Sequence, residues 1–139
     1  MGFFSNLFKK SSFFSSEYTD KSMMSVSEVI SAHANWKTRF AKFMDDTLGY
    51  NLDEEVLAAA DDSELGRWIL QAGEVEKSDE RKKLIGALHQ ENSAMHQAAS
   101  AIAGLVHAGN HAEIAKVNVQ YMFAARHVMT LLKELEKAG

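Results

Sequence analysis

The chain has 139 residues, 46% hydrophobic and 24% charged, which is the balance of a folded globular domain rather than of a disordered chain. Its net charge of −4 leaves no basic footprint for neutralising phosphates, so DNA or RNA binding is not expected, and the absence of cysteine removes disulfides, thiolate catalysis and thiolate metal ligands. Proline is absent too, so long helices can run unbroken and Gly, Asn, Asp and Ser are left to punctuate the chain.

Residues 1–22 are rich in Ser and Phe, share no periodicity with the rest of the chain, and read as a flexible Phe-rich N-terminal tail ahead of one helical domain over 23–139. Phe3, Phe4, Leu7 and Phe8 would share one side of a short helix, with Lys9 and Lys10 after them. That pattern suits docking on a partner groove or a membrane surface, and equally a fold-back over the chain's own apolar patch. Ser25 with Glu28 forms a capping box. From there Val26, Val29, Ile30, His33, Trp36, Phe40, Phe43 and Met44 recur at three and four residues, which predicts an amphipathic helix. Gly49 to Asp53 supplies turn chemistry. Glu54 to Ala60 is a short helical stretch, interrupted by Asp61, Asp62, Ser63 and Glu64, whose default role is a solvated helix start; a further helical segment carries Leu65, Trp68 and Ile69.

Ser78 followed by Asp79 and Glu80 opens a long helix with its acidic residues where the macrodipole favours them. Its seam is Ile85, Leu88, Asn92, Met95, Ala99, Ile102 and Val106, in which Asn92 is the polar member. Gly109 and Asn110 break it, and Ile114, Val117, Tyr121, Ala124, Val128, Leu131 and Leu135 continue the same spacing on a last helix. The last two helices therefore form a hairpin that must bury its seams against the earlier segments, and the fold class expected is all-α, an antiparallel four-helix bundle. No stretch pairs alternating polarity with clustered β-branched residues, so no strand is expected.

Three strings stand out on these helices: His33-Ala34-Asn35-Trp36, Ser63-Glu64-Leu65-Gly66-Arg67-Trp68, and Asn92-Ser93-Ala94-Met95-His96. In order and spacing the chain resembles the chemoreceptor zinc-binding domains of bacterial chemotaxis receptors and diguanylate cyclases. These show a His-x-x-Trp, then a Cys-x-Leu-Gly-x-Trp, then a His-x-x-x-His. The resemblance covers about Val26 to the C-terminus and is most specific at Leu65, Gly66 and Trp68. It implies a zinc site of three histidines and one cysteine, a tetrahedral set. Here His33 and His96 keep two ligand positions, while Ser63 stands at the cysteine position and Asn92 at the remaining histidine position. Hydroxyl and carboxamide donate less charge to a dication than thiolate and imidazole, so zinc is expected to bind weakly or not at all, with Asp61, Asp62 or Glu64 as the nearby source of a carboxylate oxygen.

Without that resemblance His33 and His96 would read as satisfied core residues, Asn92 as a register device for helix pairing, and Trp36 and Trp68 as core. His89 lies seven residues before His96, about 10 Å along a helix axis, too far to share a metal. His107 and His111 flank the Gly109 turn and are expected to be exposed, and His127 has no acidic partner evident in the sequence. No phosphate loop, nucleophile elbow or cysteine nucleophile is present, so the chain is not expected to be an enzyme. No apolar run spans a bilayer and no signal-peptide pattern opens the chain, which points to the cytoplasm, with recruitment to a membrane or receptor assembly through the tail. The function expected is a stand-alone signalling or regulatory module of the zinc-sensing type, a homodimer acting through helix contacts with a protein partner. The rival is a structural or adaptor protein that uses the same bundle without metal and assembles through its Phe-rich tail or helix seams.

Overall fold

The computed structural model describes residues 23–45 and 54–139; Phe3, Phe4, Leu7 and Phe8, and the turn over Gly49 to Asp53, lie outside the described residues. Among these residues the protein is all-α: α1 (Val26–Asp45), α2 (Glu54–Ala58), a 3₁₀ turn (Ala60–Asp62), α3 (Glu64–Val75), α4 (Asp79–His107) and α5 (His111–Ala138).

The helix starts obey local chemistry. At α1 the Glu28 amide donates to Ser25 Oγ at 3.1 Å and the Ser25 amide to Glu28 Oε1 at 2.8 Å, a reciprocal capping box. The Ser78 hydroxyl accepts from the Arg81 amide at the head of α4. α4 ends where Gly109 takes φ 72°, a left-handed conformation that costs a glycine little, and the chain turns directly into α5. The two long helices then fold back along one another. At the far end from the turn, Arg81 Nη1 on α4 donates to the Leu135 carbonyl on α5 at 2.9 Å, while Arg81 Nε pairs with Glu76 at 2.8 Å.

On α5 the buried stripe departs from the expected seam: Leu132 is fully buried and Leu131 only partly so, and Ala125 is buried beside Ala124. The Trp68 indole on α3 donates to the Met24 carbonyl at 2.8 Å and ties the head of α1 to α3.

The core falls into two apolar clusters. One gathers Trp36, Phe40, Phe43, Leu57, Met95, Ile102 and Tyr121 with several alanines, the other Val29, Leu65, Trp68, Ile69, Ile85, Leu88, Val128, Leu132 and Leu135. Each long helix contributes to both, and the seam of each changes cluster partway along. On α1 the change falls between Val29 and Trp36, on α4 between Leu88 and Met95. His33 and Asn92 occupy those two gaps. No helix among the described residues is long and apolar enough to cross a membrane.

Candidate functional site

Among the described residues four polar ones are buried in this core: His33, Ser63, Asn92 and His96, each 1–3% exposed. They come from α1, the junction before α3, and α4, and all four line one cavity of about 10 Å³, the volume of a single water or a small ion. Trp36, Glu64 and Met95 complete most of its wall, with Arg39 at its edge. Spacing explains the convergence. Asn92 and His96 are one turn apart on the inward face of α4, and His33 is three residues before Trp36 on the inward face of α1.

The site is organised on the Ala60 carbonyl. Ser63 Oγ donates to it at 2.8 Å, the Ser63 amide at 3.2 Å, and Asn92 Nδ2 reaches it at 3.5 Å. Ser63 is also the N-cap of α3, its hydroxyl accepting from the Gly66 amide at 2.9 Å. Gly66 explains the Leu-Gly-x-Trp string: a Cβ there would collide with the Ala60 carbonyl oxygen and lie 2.8 Å from Asp61 Cα, so only glycine lets α3 start flush against the 3₁₀ turn. The position that holds Ser63 at the cavity is thus held by a backbone–backbone contact.

Both imidazoles are neutral at pH 7. Burial pushes His33 down to about 4, with help from the Lys37 and His96 charges and against a hydrogen bond to the Ala125 backbone. His96 is likewise pushed down to about 4 by burial, against its bond to the Leu57 backbone and the Asp61 charge. His96 Nδ1 lies 2.9 Å from the Leu57 carbonyl, which can only accept; Nδ1 therefore carries the proton and leaves a lone pair on Nε2. A backbone carbonyl on the far nitrogen is the arrangement that orients metal-ligating imidazoles. The Trp36 ring lies against the His96 ring, centroids 4.6 Å apart, and fixes its plane. His33 Nε2 and Asn92 Oδ1 are buried and have no hydrogen-bond partner among the described residues.

The donor set fits a tight zinc centre poorly. Two neutral imidazoles are suited to the ion, but Ser63 already uses its proton and one lone pair on the backbone, and Asn92 offers a neutral carbonyl. No group of three or more His, Cys, Asp or Glu that could hold a metal is found among the described residues. The three carboxylates near Ser63 separate in space. Glu64 lines the cavity. Asp61 is exposed and pairs with His89 at 3.3 Å, and Asp62 is exposed. The acidic string is accordingly a solvated helix start at Asp61 and Asp62 only; Ser63 is buried and Glu64 half-buried because the turn folds inward at that point.

Arg39, which sequence reasoning passed over, stands at the cavity edge within electrostatic range of Glu64. The remaining histidines lie outside the cavity. His107 pairs with Glu54 at 3.2 Å, and His127, which no neighbour in sequence could partner, pairs with Glu91 across the α4–α5 contact at 3.4 Å. No family model, no curated protein and no solved structure matches the chain.

Proposed function

We propose that the chain is a non-enzymatic signalling or regulatory module of the chemoreceptor zinc-binding type, an antiparallel four-helix bundle whose metal layer has been converted into a polar register layer. The observation that carries this reading is the meeting of His33, Ser63, Asn92 and His96, the four positions of the motif strings, at one 10 Å³ cavity between two apolar clusters. In this reading His33 and His96 retain the geometry of imidazole ligands and hold a dication weakly. Output passes through contacts between helical faces, in the cytoplasm, to a protein partner. The exposed apolar residues Val119 and Phe123 on α5 supply a face for pairing with a second copy.

A specific observation favours the rival as well. Ser63 spends a hydrogen bond on the Ala60 carbonyl and Asn92 on α4 reaches the same oxygen at 3.5 Å, so α4 meets the α3 junction through polar groups of the protein with no ion involved. A structural or adaptor module needs nothing more from the layer than this fixed register.

Restoring the two absent ligands separates the readings. Ser63→Cys places a thiol at a helix N-terminus, where its thiolate is favoured, and Asn92→His supplies the third imidazole. Because the backbone is already in place, the double variant should bind zinc with an affinity approaching that of structural sites, on the order of 10 kcal/mol, in competition with a chromophoric chelator. Wild type should bind far more weakly and gain little thermal stability from zinc. A double variant no tighter than wild type would mean that the four positions do not form a ligand set, and the reading would fall.

A further inference from the structure

A second concavity lies further along the contact between α1 and α5. The groove between α1 and α5, about 510 Å³, falls within the usual range for small-molecule pockets, roughly 300–1,000 Å³. Its floor and walls are apolar and soft: Phe40, Met44, Met122 and Met129, with the Tyr121 ring between them. Methionine side chains re-pack around flexible apolar guests better than branched ones do. Met122 is half exposed although it belongs to the groove.

The charge on this groove is one-sided. Lys37 from α1 and Arg126 from α5 stand on it, and none of its lining residues is acidic, in a chain whose net charge is −4. The Tyr121 hydroxyl, buried beside the groove, has no hydrogen-bond partner among the described residues, so a donor there is unspent. We infer that the α1–α5 groove binds a single-chain carboxylate amphiphile, a free fatty acid, with its alkyl chain against the methionines and its headgroup between Lys37 and Arg126. The same charges argue against the other candidate occupants. The Phe-rich segment carries Lys9 and Lys10 and would bring cations to cations, and a second copy seated on this groove would have to cover Lys37 and Arg126, whereas a carboxylate headgroup pairs with them.

Dodecanoate below its micellar concentration is the probe, with dodecanol and dodecylammonium as the neutral and cationic controls. Isothermal titration on the full chain should give saturable one-to-one binding of dodecanoate, at least ten-fold tighter than either control and weakened by salt. Methionine-methyl NMR should show saturating shifts at Met122 and Met129. Lys37→Gln with Arg126→Gln should weaken dodecanoate by about ten-fold or more, the equivalent of one lost charge-assisted contact, and leave dodecanol unchanged. Unaltered helicity and melting of that variant exclude misfolding, since both side chains lie at the groove rim. Equal binding of the three probes, an undiminished double variant, or shifts that do not saturate would each overturn the inference. So would dodecanoate binding that appears only after removal of residues 1–22, which would name the chain's own N-terminus as occupant, or binding coupled to dissociation of a dimer, which would name a second copy.

Discussion

His33 and His96 make the stability of this fold depend on pH in a window that carboxylates do not share. Both imidazoles sit near pKa 4 in the folded chain, chiefly through burial, against 6.5 when unfolded. A lowered histidine pKa means that the unfolded chain binds the proton first, so stability is intact above pH 6.5 and falls as pH drops from there toward 4. Each pKa unit is about 1.4 kcal/mol, so at pH 5 each histidine withdraws roughly 2 kcal/mol and the pair roughly 4 kcal/mol. Against a typical total of about 5–15 kcal/mol that is enough to lower the melting temperature steeply. Protonating the second ring costs more than the first, because the His96 charge already depresses His33.

The assay is urea unfolding in the presence of a chelator at pH 7.0, 6.0 and 5.0, for wild type and for His33→Leu with His96→Leu. The double variant starts lower, since Asn92 and the Leu57 carbonyl lose polar neighbours, but its stability should stay flat across the window. His89, His107, His111 and His127 lie outside the buried core, and they remain in both proteins, so their contribution cancels in the comparison. Parallel pH slopes for the two proteins would refute the argument that burial of these two rings governs the acid response.

Two further outcomes rest on the geometry. Gly66→Ala, which in an open helix would stabilise by about 1 kcal/mol, should instead destabilise by roughly 2 kcal/mol in thermal or urea melts. The new Cβ meets the Ala60 carbonyl, a backbone group with no rotamer to retreat into; unchanged or raised stability would show that the α3 start is not pinned there. Val119→Ser with Phe123→Ser should shift the full chain from dimer to monomer in sedimentation at tens of micromolar without loss of helicity, because both side chains are more than half exposed. A wild type that sediments as a monomer would remove pairing from the functional reading.

Much of this architecture was legible in local chemistry. The capping box at Ser25 and Glu28, the cap at Ser78 and the glycine turn at Gly109 are set by groups within a few residues of one another, and each stands where spacing predicts it. The three- and four-residue periodicity likewise marks which face of α1, α4 and α5 turns inward, since burying one stripe of a helix requires that repeat. The limit of this reasoning shows at Leu131 and Leu132, where adjacent leucines satisfy the period equally well and only the packing of α5 against its neighbours chooses between them.

The site divides along the same line. A grouping of His33, Ser63, Asn92 and His96 was readable from three strings and their order, but nothing in those strings places them at one cavity. That depends on where α1 crosses α4 and on how closely the 3₁₀ turn approaches α3, a contact set by Gly66 against Ala60. Ser63 shows the difference most directly. The resemblance makes it an expected stand-in for a thiolate, while in the structure its hydroxyl is both a helix cap and a donor to Ala60. His127 with Glu91, and the α1–α5 groove, were invisible beforehand for one reason: each is made by residues far apart in the chain, whose proximity is decided by the packing of whole helices and not by any neighbour in sequence.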